Sequence, residues 1–331
     1  MSEFAEEPRG LDAVDEEILR EVERRGRVTP SELARRYGAS KSMVWRRLKK
    51  LEYMGLVRSY RLGGVVIFEP ALPPSPQGLF RIGVLRASEY PYILPLARAL
   101  RARYSRVEIE VYDEAFKLAA DLARGRLHVA MIPAVTALLV HRASRGAISI
   151  VGGGSRGGAG IVEGPGDTGH ASTMASTMEL CAVAERLPHP RVYASSGDEI
   201  LSLVSEGKVR YGVVWEPYLT KAARMGFRVS ECNVPVCCLL TAHRSVYGEA
   251  ERLARAMAEA VAEARRGSVN LDSYASLIGA ETELVKRSLR RYEFLEEPPV
   301  EDLQRAWDIV REAAMPESTI KTGILWPLRR E

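Results

Sequence analysis

The sequence predicts an α/β chain in two unequal parts: a small domain of three helices closed by a strand hairpin, and a larger α/β domain of alternating strands and helices. Three observations carry this. The stretch Glu69–Gly78, EPALPPSPQG, holds Pro70, Pro73, Pro74 and Pro76, and proline at that density stiffens a chain while denying it ladder hydrogen bonds. Before it, apolar residues recur at helical spacing between clear start and stop signals. After it, apolar strand-like runs alternate with helical ones, as in sheets with parallel strands. The expected boundaries are 1–69, a linker at 70–78, and 79–331.

Composition sets the class. With 331 residues, 46% hydrophobic and 27% charged, the chain can bury a large core and is not a disordered one. Its longest apolar runs, such as 234–242, stop far short of the ~20 residues that cross a bilayer. Met1–Gly10 is acidic without an apolar core, so no signal peptide is expected and a cytoplasmic location is. Of 47 basic residues 39 are Arg, and Asn and Gln occur twice each; a thermophilic source or a GC-rich genome explains both. Four cysteines, with no C-x-x-C pair, predict neither a disulfide framework nor structural zinc.

In the first domain Val14, Ile18, Leu19 and Val22 form one stripe of a helix over Asp12–Arg25. Thr29-Pro30-Ser31-Glu32 then supplies an N-cap, a proline at the first helical position and a capping-box acid. That second helix ends at Gly38. The turn Gly38-Ala39-Ser40 leads into a third helix from Lys41, whose Val44, Leu48 and Leu51 face inward. Ser42, Arg46 and Lys49 then face outward with Trp45 beside them, Trp45 being either at that face or half-buried against the second helix. Leu56–Leu62 and Val65–Phe68 flank a Gly63-Gly64 turn as a hairpin. Between Arg24 and Arg61 twelve basic residues meet two acids, a local charge of +10 that attracts polyanions.

Helix-turn-helix followed by a basic hairpin, carried by SELARRYGASKSMVWRRLKKLEYMGLVRS, resembles the winged helix-turn-helix of bacterial and archaeal transcription regulators over residues 11–69. The resemblance implies double-stranded DNA as partner. It puts Ser42, Trp45 and Arg46 at base edges in the major groove, and Lys49, Arg58 and Arg61 at phosphates. The bland alternative is a winged helix that touches only protein.

In the second domain strands are expected at Phe80–Leu85, Val107–Val111, Leu127–Ile132, Arg191–Tyr193 and Tyr211–Val214. Helices are expected at Tyr92–Tyr104, Glu114–Arg124, Pro133–His141, Thr173–Leu187 and Gly197–Glu206. FRIGVLRASEYPYILPLARAL, LARGRLHVAMIPAVTALL and VRYGVVWEPYLTKAARMGFRV resemble the type-two periplasmic binding-protein fold, in particular its nitrate, sulfonate and thiamine-precursor group. That implies two lobes closing on a small molecule, here expected to be anionic. Ser172, Thr173 and Ser176 at a helix start suit an anion. Ser88, Tyr90 and Thr136 follow strands, and Trp215, Glu216 and Tyr218 offer an aromatic wall and a counter-charge. Each of these has an equally plain structural use.

Nine glycines fall within 152–169. Without a G-K-[ST] ending they are no phosphate loop, and a mobile loop over the cleft or a hinge segment is expected. Cys232, Cys237 and Cys238 read as redox or soft-metal sensors or as small buried hydrophobes. The five histidines show no metal spacing and no nucleophilic partner. No catalytic residue, metal or cofactor is expected.

The combination predicts a regulator that reads DNA and senses a small-molecule effector, working as a homodimer away from membranes. The layout is similar to that of LysR-type regulators, with a short proline-rich segment in place of their long linker helix. The alternative is an enzyme, because chorismate dehydratase and thiamine-precursor synthases share the fold and RIGVLRASEYP with LHVAMIPAV resembles the former.

Overall fold

The computed structural model describes residues 11–54, 56–62, 64–70, 78–233 and 236–312. The amino-terminal domain contains helices α1 (Ala13–Arg25), α2 (Pro30–Tyr37) and α3 (Lys41–Tyr53) and strands β1 (Val57–Leu62) and β2 (Val65–Pro70). Local chemistry sets each boundary. Asp12 and Asp15 form a capping box on α1, Thr29 and Glu32 another on α2, and Ser40 caps α3 through Met43 N–H. Gly38, at φ 59°, closes α2. β1 and β2 pair antiparallel with Leu62 opposite Val65. Ile18, Val22, Leu33, Val44, Leu48, Leu51 and Phe68 make a core separate from that of the rest of the chain. The second helix start and all three inward residues of α3 lie where the spacing puts them. Most of the expected linker, 71–77, lies outside the described residues.

The body begins with β3 (Leu79–Leu85), α4 (Ile93–Leu100), β4 (Arg106–Tyr112), α5 (Ala115–Ala123), β5 (Val129–Pro133), α6 (Ala134–Ala143) and β6 (Ile148–Gly157). Its second lobe follows, with β7 (Ala159–Glu163), β8 (His170–Ser172), α7 (Thr177–Ala184), β9 (Arg191–Tyr193), α8 (Gly197–Ser205), β10 (Tyr211–Trp215), α9 (Tyr218–Arg224) and β11 (Arg228–Glu231). The chain returns through β12 (Cys238–His243), α10 (Ala250–Arg265), α11 (Leu271–Ile278), α12 (Thr282–Ser288), β13 (Tyr292–Leu295) and α13 (Val300–Glu312). One sheet has the order β13-β6-β12-β5-β3-β4 and the other β11-β7-β10-β8-β9. β4, β3 and β5 run parallel, as do β10, β8 and β9, while β12 is antiparallel to β5 and β7 to β10.

The chain crosses between the sheets at Gly157-Gly158 and returns between β11 and β12. The glycine-rich run from 152 to 163 therefore lies on two strands that cross between the lobes, and Gly164, Gly166 and Gly169 lie in the segment between β7 and β8. Its composition has a packing cause at Gly154, where a Cβ would lie 1.9 Å from the Cys238 carbonyl oxygen; only glycine lets the two backbones approach so closely. Helix α7 starts at Thr177, later than the periodicity predicts, because Ser176 is the cap and accepts from Met178 N–H.

One expectation is corrected. Cys181 and Cys232 form a disulfide that ties α7 to the segment after β11. The spacing rules look for close pairs, and these cysteines are 51 residues apart.

Candidate functional site

Two regions gather the residues singled out in the sequence. The first is the outward face of α3 with the hairpin. Ser42 and Arg46 are exposed there, and Arg61 is exposed on β1. Trp45 is half-buried, edge-on to Phe68 of the hairpin at 5.7 Å between ring centroids, and packs on the core to which Leu33 and Ala34 of α2 also belong. Lys49 lies 5.4 Å from the Trp45 ring and pairs with Glu52 at 2.5 Å. Arg58 pairs with Glu69 at 2.7 Å.

The local +10 is smaller than the count suggests. Acids just outside the counted window turn inward to meet it: Glu21 pairs with Arg24, Arg25 and Arg36, and Asp12 and Asp15 with Arg47, while Lys50 also reaches Asp15. Arg24 holds the Glu21 carboxyl down at about 2. Glu69 also takes Arg27. Among the described residues Arg35, Lys41, Arg46 and Arg61 make no ion pair, and these four carry the unmatched charge. Lys41 and Arg46 stand on α3 itself.

The second region is the crevice between the lobes, which closes to a cavity of about 30 Å³. That is room for roughly one or two waters. Tyr90, Thr173, Ser176 and Trp215 line it, with Glu89, Asp113, Thr177, Cys237 and Cys238. Several of the other predicted residues hold the lobes together instead. Ser88 N–H donates to the Glu216 carbonyl at 3.0 Å, and Thr136 Oγ1 to the Ala175 carbonyl at 2.5 Å. Trp215 Nε1 likewise donates to the Arg86 carbonyl at 2.9 Å. The Glu216 carboxylate is buried and fully engaged by Thr220, Ser288 and Arg291. Tyr218 lines a separate, open cavity of about 280 Å³ with Arg86, Lys221 and Arg224. Ser172 ends β8 with its hydroxyl buried and, among the described residues, without a hydrogen-bond partner.

Sequence reading did not bring Glu89, Cys237 and Cys238 together, yet their ligand atoms lie within 4.8 Å of one another. Glu89 Oε1 accepts from Ser155 Oγ at 2.5 Å and from Cys238 N–H at 3.1 Å, and Cys237 Sγ donates to Oε2 at 3.4 Å. Tyr90 OH donates to Cys238 Sγ at 3.0 Å. Burial raises the Glu89 carboxyl and the Cys238 thiol above their ordinary values, so desolvation favours their neutral forms. The adjacent cysteines were the visible signal; the topology that lays the start of β12 beside the β3–α4 loop was not visible.

Residues 11–58 match the family model described as winged helix-turn-helix DNA-binding. The amino-terminal domain is a winged helix. A leucine-responsive regulatory protein of Rhizobium meliloti is 51% identical to it over 51 residues, which are 15% of this chain and 33% of that one. An uncharacterized HTH-type transcriptional regulator of Pyrococcus horikoshii is 41% identical over 51 residues, again 15% and 33%. The chain thus spans about a third of the length of these relatives. The body is similar in fold to other solved structures. The alkanesulfonate-binding protein SsuA of Xanthomonas axonopodis pv. citri, bound to MOPS, superposes with a TM-score of 0.61 at 13% identity, over 75% of this chain and 98% of that one. The periplasmic nitrate-binding protein NrtA of Synechocystis PCC 6803 gives 0.52 at 13%, over 67% and 73%. The body has the two-lobed periplasmic binding-protein fold. None of the described helices is long and apolar enough to cross a membrane.

Proposed function

We propose that the protein is an intracellular one-component transcription regulator in which the winged helix holds operator DNA and the two-lobed body senses a small ligand. The observation that carries this reading is the union, in one chain, of an unmatched cationic face on α3 with a body whose lobes meet over a cavity. Arg46 and Ser42 read base edges in the major groove, with Trp45 seated beside them, while Lys41, Lys49, Arg58 and the wing's Arg61 meet phosphates. Lys49 and Arg58 must first leave Glu52 and Glu69, so each contributes less than its charge suggests.

The ligand sits among Tyr90, Thr173, Ser176 and Trp215. An anion is the expectation from the start of α7, but among the described residues the lining carries Glu89 and Asp113 and no Lys or Arg; a neutral or cationic ligand suits that lining better. Ser88, Thr136 and Glu216 act as the latch between lobes, and Tyr218 belongs to the outer cavity. Lobe closure then alters the spacing of two winged helices in a homodimer, the half-sites lying about 34 Å apart or a multiple of it. A disulfide inside a cell is uncommon except in hyperthermophiles, which accords with the scarcity of Asn and Gln.

The test is a gel shift of the full chain on the DNA upstream of its own coding sequence at two salt concentrations. Binding is expected to weaken steeply with salt, with a slope of roughly −0.9 per phosphate neutralised. A chain that retains no duplex at low salt overturns the proposal.

A further inference from the structure

We propose that Glu89, Cys237 and Cys238 form a binding site for a thiophilic divalent cation, and that this ion is what the crevice senses; the second half of the proposal rests on the regulator reading above. The geometry is that of a ligand set. Cys237 Sγ and Cys238 Sγ are 3.6 Å apart and Glu89 Oε2 is 3.4 Å from Cys237 Sγ. Two thiolates on one tetrahedral ion at ~2.3 Å stand about 3.8 Å apart, and a thiolate and a carboxylate oxygen about 3.5 Å. Little movement is needed to seat an ion among them.

The surroundings are arranged as they are around metal ligands. Ser155 and the Cys238 N–H orient the Glu89 carboxylate, and Tyr90 OH addresses the Cys238 sulfur. Thr177, 1% exposed, addresses the Cys237 thiol with its hydroxyl. It stands on α7 in the second lobe, whereas the other three belong to the first, so an ion that recruits the Thr177 oxygen, directly or through a water, joins the lobes. The cavity, at about 30 Å³, suits an ion and its water and is far below the few hundred Å³ that organic ligands fill. As the metal–sulfur bonds form, Cys237 and Cys238 release their protons to solvent, and two thiolates with one carboxylate offset the ion's charge.

The experiment uses the full chain, stripped with a chelator under reducing conditions and titrated with cadmium, read by the thiolate-to-cadmium charge-transfer absorption. One ion per chain is expected, with the band kept in Cys181→Ser and lost in both Cys237→Ser and Cys238→Ser. Glu89→Gln, nearly isosteric and checked for folding by its melting curve, is expected to weaken binding at least about 10-fold, and Tyr90→Phe by about 10- to 100-fold. A folded, reduced wild type without the band overturns the site, as does a band that survives in Cys237→Ser and Cys238→Ser. DNA retention is measured on the same samples. Retention that ignores bound cadmium overturns the ion as effector, and a chain that takes up cadmium but holds no DNA at any salt overturns the regulator reading while the site stands.

Discussion

The winged helix keeps most of its cationic groups at the surface and buries only the carboxylates of Asp15 and Glu21 that answer them, whereas the body turns carboxylates, thiols and histidines inward. The consequences differ in size. An exposed ion pair such as Arg20–Glu17 is worth about 0–1 kcal/mol and fades with salt, whereas the pairs to the buried carboxylates of Asp15 and Glu21 cost more to break. A buried polar group is expensive unless its partners are in place, so the body's crossing strands and crevice tolerate little change. The comparison assigns recognition to a surface that is cheap to alter and sensing to an interior that is not.

The largest effect that can break this contrast is at the hinge. Gly154→Ala sets a Cβ 1.9 Å from the Cys238 carbonyl oxygen, against backbone that cannot swing aside; a loss of about 3–5 kcal/mol is expected in chemical denaturation. Wild-type stability in that variant would show the crossing strands to be loose. Reduction of Cys181–Cys232 comes next. It opens a loop of 51 residues across the second lobe, and chain entropy sets a ceiling of roughly 4 kcal/mol. Melting with and without reductant measures this, and an unchanged transition would contradict it.

The pH dependence is smaller per unit but distinctive. Burial holds His128 at about 4 and His243 at about 3, below the free value of 6.5. Above pH 6.5 both are neutral folded or unfolded, so they add no pH dependence. As pH falls from 6.5 toward 4 the unfolded chain takes up protons that the folded one refuses, and stability drops by ~1.4 kcal/mol per pH unit for each histidine. His128→Phe, which keeps a ring stacked on Phe80, should flatten the measured slope by up to about 1.4 kcal/mol per pH unit, leaving the contributions of His243, His141 and His170. The smallest effect is expected at Arg46→Ala, whose melting should match wild type within about 0.5 kcal/mol, because Arg46 is exposed and makes no ion pair among the described residues.

The same contrast explains what could be read before the structure. Thr29-Pro30-Ser31-Glu32, Gly38 and the Val44, Leu48, Leu51 stripe act within one or two turns of helix, so their consequences are written in consecutive residues. The latch of Ser88 to Glu216 and Thr136 to Ala175 joins segments 128 and 39 residues apart, and the cluster of Glu89 with Cys237 and Cys238 spans 149. Such contacts follow from strand order, which residue patterns do not state. The glycines of 152–169 suggested freedom because glycine permits it; here neighbouring backbone at 1.9 Å demands glycine for the opposite reason. The +10 of the winged helix was over-read in the same way, since Asp12, Asp15 and Glu21 lie before the counted window and Glu69 after it, and all fold onto it.

The most direct test of the account is the salt dependence of DNA affinity for wild type, Arg46→Ala and Lys49→Ala in the full chain. Arg46→Ala should lose about 1–3 kcal/mol of affinity. Lys49→Ala, whose charge already answers Glu52, should lose less than about 1 kcal/mol and keep a slope near wild type. Equal losses, or an Arg46→Ala chain that binds as wild type does, would contradict the assignment of α3 as the reading helix.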